Sequence, residues 1–130
     1  MILKMKALLA TILLLFGLSG CVASFHVASY DTPEKTFDTW RYAARNLDIS
    51  TLLSTYAKSA RPSIESDLAK SSKEALKSMQ DEAKNTDFKI EKIVYEDNLA
   101  YLRVLRKVKN QNEVEVLTMI KEGDKWKLLP

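Results

Sequence analysis

The apolar period of this chain changes once, at Asn85, and that change restricts its fold more than any other feature. Upstream, Phe37, Trp40, Ala44 and Leu47 recur at spacings of three, four and three, which is one stripe of an amphipathic helix. Downstream, "FKIEKIVYE" alternates with a period of two, as a half-buried strand does. At 130 residues there is room for one domain. Helices first and strands afterwards make its class α+β, with about three helices followed by an antiparallel four-stranded meander.

The helical half is punctuated by start signals. Thr32 is the expected N-cap of the first helix, with Pro33 at the first helical position, where its missing N–H costs nothing. Glu34 and Asp38 place negative charge near the helix N-terminus, where the dipole favours it. Asp48 is the expected N-cap of a second helix carrying Leu52, Leu53, Tyr56 and Ala57. Pro62 reads as a break before a third helix capped by Ser63, whose buried face would be Ile64, Leu68, Ala75, Leu76, Met79 and Ala83.

In the strand half the alternation slips phase near Lys92-Ile93, the mark of a bulge. Asp97-Asn98 reads as a tight turn into "LAYLRVLRKV", where Ala100, Leu102 and Val104 share one face. In "EVEVLTMIK", Val114, Val116, Thr118 and Ile120 share one side, and Glu113, Glu115, Leu117 and Met119 the other. A turn at Gly123-Asp124 leads to the short strand "KWKLL". The second and third strands are therefore apolar on both faces, while helices laid on one side require only one. The extra face could line a pocket, meet a partner, or be covered by the preceding segment.

The N-terminus is a different kind of segment. Lys4 and Lys6 precede an apolar run from Ala7 to Leu18, and Ser19-Gly20 supply small residues before Cys21. That layout is a secretory signal peptide over residues 1–20. A run of about 12 apolar residues falls short of the roughly 20 needed to span a bilayer. Leu18-Ser19-Gly20-Cys21 resembles the lipobox of bacterial lipoproteins. The resemblance implies that the Cys21 sulfur takes a diacylglycerol, that cleavage falls just before it, and that the freed amine is acylated as well. Two or three chains make a stable membrane anchor, where one alone binds reversibly. In that family Asp after the cysteine retains the protein at the inner membrane. Val22 stands there, so the expected address is the outer membrane, facing the periplasm. Residues 21–31 then form the lipidated cysteine and a tether, in which the lone His26 reads as a tether residue, and residues 32–130 form the domain.

Charge and composition exclude several functions. The net charge of +3 falls to 18 basic against 17 acidic residues once the first twenty are removed, which is no footprint for nucleic acid. One cysteine excludes an internal disulfide, and one histidine excludes the usual zinc sites, so no metal or cofactor is expected. The run Arg103, Arg106, Lys107 and Lys109 reads as solvated surface or, near a bilayer, as a contact for anionic head groups.

"AARNLDISTLLSTYAKSAR" and the ending "MIKEGDKWKLLP" are similar to the helix pair and the closing hairpin of nuclear-transport-factor-2-like domains, including small bacterial lipoproteins of that fold. The resemblance implies a cone-shaped α+β domain. It extends to enzymes such as ketosteroid isomerases and dehydratases, which place Asp, His or Tyr inside the cone. This domain has no histidine after His26, and Glu91, Glu96, Glu113 and Glu115 read as a solvated edge. The expected function is thus a lipid-anchored, non-enzymatic envelope protein that binds a small apolar ligand or a protein partner, its oligomeric state open. The alternative is an isomerase- or dehydratase-like enzyme with an acidic or tyrosine-based site. Trp40, Tyr56, Tyr101 and Trp126 are the candidates for a pocket mouth, with core packing as the competing role for each.

Overall fold

The structure is a computed structural model and describes residues 26–130. Four helices precede four strands: α1 (Pro33–Asn46), α2 (Ile49–Ser54), α3 (Arg61–Lys70), α4 (Lys73–Asn85), β1 (Thr86–Glu96), β2 (Leu99–Val108), β3 (Gln111–Glu122) and β4 (Lys125–Leu128). The strands form one antiparallel sheet in the order β1-β2-β3-β4.

Local chemistry sets the element boundaries. Thr32 caps α1 by accepting from the Lys35 N–H at 3.2 Å, with Pro33 in the first turn. The helix ends at Leu47, whose left-handed φ of 49° lets its N–H reach the carbonyls of Ala43 and Ala44. Asp48 then caps α2, accepting from the Thr51 N–H at 3.2 Å and the Thr51 hydroxyl at 2.7 Å.

The expected third helix is two helices. Ser71 is extended, and Ser72 caps α4 by accepting from the Ala75 N–H at 3.1 Å. A serine pair favours such a cap over a helix interior because its hydroxyl competes for backbone donors. Pro62 lies in the first turn of α3, with Ala60 rather than Ser63 at the cap position. Helix α3 buries no residue fully, and Ala75 of α4 is exposed while Ala83 is buried.

The sheet carries the expected irregularities. The β1–β2 register shifts between Ile90 and Lys92, so Glu91 is the bulged residue. Asp97 and Gly123 turn at positive φ, 52° and 63°; a Cβ on Gly123 would meet nothing within 4 Å, so backbone conformation alone favours glycine there. After α2 the chain runs beside β4: Leu128 donates to Thr55 O at 2.7 Å and Ala57 donates to Leu128 O at 2.8 Å.

The main core lies between α1 and the inner sheet face, with Phe37 packed on Ala100, Leu102, Val104, Met119, Trp126 and Leu128. A second cluster joins Ala43 and Ala44 of α1 to Leu52 and Ala83. Two buried threonines of α1 tie the helix to β4 and to the chain ahead of it. The Thr36 hydroxyl donates to Trp126 O at 2.8 Å, and the Thr39 hydroxyl, 2.9 Å from Ser29 O, accepts from the Ser29 N–H at 3.1 Å. Trp126 donates to Tyr30 O at 2.8 Å, and Lys125 pairs with Asp31 at 2.6 Å. Ser29, Tyr30 and Asp31 of the expected 21–31 tether are therefore docked on the domain. The expected signal peptide, residues 1–20, and the expected lipid site Cys21 lie outside the described residues.

Candidate functional site

The inner face of the sheet is not wholly filled by α1. A cavity of about 360 Å³ opens between α1, the chain after α2 and the inner face, lined by Phe37, Trp40, Tyr56, Phe88, Val104, Glu115, Leu117, Leu128, Leu129 and Pro130, among others. Strand pairing explains the sheet side of that wall. Val104 faces Ile90 on β1 and Glu115 on β3, and Leu102 faces Leu117, so these side chains emerge together on the helix side.

The aromatic wall is tightly ordered. The Phe37 and Trp40 rings stack at 5.8 Å, and Phe88 meets both edge-on, at 5.6 and 6.0 Å. Trp40 Nε1 donates to the Tyr56 hydroxyl at 3.2 Å. Burial holds the Tyr56 phenol above its ordinary value, and the hydrogen bond from Trp40 acts against that shift. Tyr56 is thus neutral at physiological pH, and among the described residues its own O–H proton has no acceptor. A smaller space of about 240 Å³ shares Trp40, Phe88 and Glu115 with the cavity and adds Ala44, Met79, Glu82, Ala83 and Arg106. Its polar side holds the Arg106–Glu82 ion pair.

Of the four aromatic candidates, Trp40 and Tyr56 line this cavity. Tyr101 does not. It pairs with Val94 and Thr118 on the outer face of the sheet, because side-chain direction alternates along β2 and Leu102 has the inner position. Trp126 is not in the cavity wall either. It is 7% exposed and packs into the core beside Tyr95, whose ring lies 5.7 Å away. Phe37 and Phe88 were not singled out as pocket residues, since a core phenylalanine and a cavity phenylalanine share the same periodicity.

The strand carboxylates are exposed, but Glu115 sits on the cavity rim as well. The basic run does not form one patch: Arg103 lies on the outer face, 3.7 Å from Glu91, and Arg106 on the inner face with Glu82. His26 stacks on Tyr42, with ring centroids 4.7 Å apart. Among the described residues there is no group of three or more metal-ligating side chains, and no helix is long and apolar enough to cross a membrane.

Comparison with solved structures bears on the fold. A crystal structure of a Campylobacter jejuni protein, named provisionally as an NTF2-like transpeptidase, matches with a TM-score of 0.53 over 76% of this chain and 99% of its own, at 18% identity. The domain has the nuclear-transport-factor-2-like fold. No protein-family model and no curated protein matches the sequence.

Proposed function

We propose that this chain is a lipid-anchored binding protein of the bacterial cell envelope, held by Cys21 at the outer membrane and facing the periplasm, whose domain takes up a small, mainly apolar ligand without chemistry. The observation that carries the binding reading is the aromatic cavity of about 360 Å³, within the usual size range of small-molecule sites. Its wall is dominated by Phe37, Trp40, Phe88, Val104, Leu117 and Leu128, and the Tyr56 hydroxyl supplies a directed donor. Such a site suits an apolar body bearing one acceptor oxygen. The anchor is supported by Leu18-Ser19-Gly20-Cys21 and the charged, apolar and small segments of the signal.

Native mass spectrometry of residues 22–130 tests the ligand: extra mass on a monomer supports the cavity reading, and a clean dimer redirects it to the outer sheet face. Tyr56→Phe should then weaken the retained ligand by about fivefold to tenfold, the value of one hydrogen bond. Cys21→Ser, followed by membrane fractionation, tests the anchor on its own. Unchanged processing and membrane association would overturn it.

One observation favours a second reading, an isomerase- or dehydratase-like enzyme: Tyr56 and Glu115 share one cavity. A neutral tyrosine can donate to a developing oxyanion while a carboxylate moves a proton. Against this reading, Glu115 is exposed, and a base that works near neutral pH needs burial or a close charge to tune it. Proton–deuterium exchange into a carbonyl compound, lost in both Tyr56→Phe and Glu115→Gln, would establish the enzyme over the binder.

A further inference from the structure

Helix α1 carries two guanidiniums, Arg41 and Arg45, one turn apart. Among the described residues, neither has a carboxylate oxygen within 4.0 Å. The Arg41 guanidinium lies 5.4 Å from the Phe88 ring centroid and 5.9 Å from that of Phe37, and its Nε is buried without a hydrogen-bond partner. Arg45 spends its Nε on Ala83 O at 3.0 Å. Where the chain enters the domain, the His26 ring stacks on Tyr42, and its Nδ1 is likewise buried without a partner. His26, Arg41, Tyr42 and Arg45 line an open cleft of about 230 Å³, with Asp38 as its carboxylate.

Two like charges held close and partly desolvated are costly unless an anion joins them. Burial and the Arg45 charge both act to lower the Arg41 pKa, while Asp38 and Asp87 oppose them. Guanidinium forks match the oxygens of a phosphate, and both arginines have donors beyond Nε to give. Position suggests where the phosphate comes from. His26 follows Cys21 by five positions, a span of at most about 18 Å, so an anchored Cys21 holds the cleft close to the bilayer surface.

We propose that the His26–Arg41–Arg45 cleft binds a phosphate group, and that this group is the phosphodiester of an anionic phospholipid in the membrane that carries the anchor. The choice of a lipid rests on the anchored reading; the phosphate chemistry does not. The cleft docks α1 against the headgroups and fixes how the domain faces its membrane.

The test uses residues 22–130, which contain both core clusters whole. Co-sedimentation is measured with vesicles of phosphatidylglycerol in phosphatidylcholine, and with phosphatidylcholine alone. Saturable binding to the anionic vesicles is expected, weakened about fivefold by Arg41→Gln or Arg45→Gln and about twenty-five-fold by both. Asp38→Asn should strengthen it by a similar single-charge factor. His26→Gln, outside both core clusters, should weaken it without lowering the melting temperature. Lys70→Gln with Lys73→Gln removes equal charge elsewhere; Lys73 is about 15 Å of helix from Ala83, the contact of Arg45. That pair should leave binding within about twofold. Equal losses from the two double variants would reduce the effect to diffuse charge and overturn the cleft. Inorganic phosphate that shifts His26 and Tyr42 resonances, with no vesicle binding, would overturn the lipid. No response to either probe would overturn both. Because residues 22–130 lack Cys21, these outcomes stand apart from the fractionation of Cys21→Ser.

Discussion

On the inner face of the sheet, Leu102, Val104 and Met119 are at most 1% exposed; on the outer face, Val114 and Val116 are 52% and 63% exposed. The side chains on the two faces are alike in chemistry, and each face alternates along the same strands. The difference comes from α1, which covers one side and brings Phe37 onto it. β-Branched residues favour a strand whether or not anything covers them, so outer valines support the sheet without building the core. Apolar alternation therefore identifies strands, while burial depends on a contact made across more than fifty residues of chain.

This contrast orders the expected effects of substitution. Phe37→Ala should cost about 3–5 kcal/mol in denaturant unfolding, because Phe37 joins the aromatic wall to the inner face. A cost near 1 kcal/mol would mean that the inner face closes without it. Thr36→Val should cost about 1–3 kcal/mol, since the Trp126 carbonyl loses its buried donor while side-chain volume is conserved. Asp48→Ala, which uncaps α2, should cost about 1 kcal/mol. Val94→Thr and Val114→Thr on the outer face should each stay within about 0.5 kcal/mol. If they cost as much as an inner-face substitution, the outer face is covered in solution and the contrast fails.

Alkaline pH probes the covered side of the sheet in another way. The folded Tyr56 phenol titrates above its unfolded value because burial disfavours the phenolate. The associated stability is fully present below about pH 10, the unfolded value, and is lost as pH rises through the folded one. Tyr56→Phe should remove that part of the loss in unfolding experiments above pH 10.

Much of the architecture was legible in local chemistry. Thr32, Asp48, Asp97-Asn98 and Gly123-Asp124 act as the caps and turns their residue types suggest. The break at Ser71-Ser72 was missed because the apolar spacing carries on across it, and only the Ser72 cap reveals it. The site was less legible. Trp40 and Tyr56 emerged as candidates together with Tyr101 and Trp126, which the structure sends to the outer face and the core. An aromatic residue at the right period can serve a cavity, a core or an open face with equal local preference.

The sequence by itself determined the order of elements, the caps, the turns and the alternation of each strand, because these depend on residues within a few positions of one another. Only the tertiary structure decided which sheet face α1 covers, that Phe88 joins the wall of Trp40 and Tyr56, that Arg103 and Arg106 part to opposite faces, and that His26 meets Arg41 and Arg45 in one cleft. Each of those depends on the packing of segments far apart in the chain, and local periodicity carries no information about which distant surface will fill the space beside it.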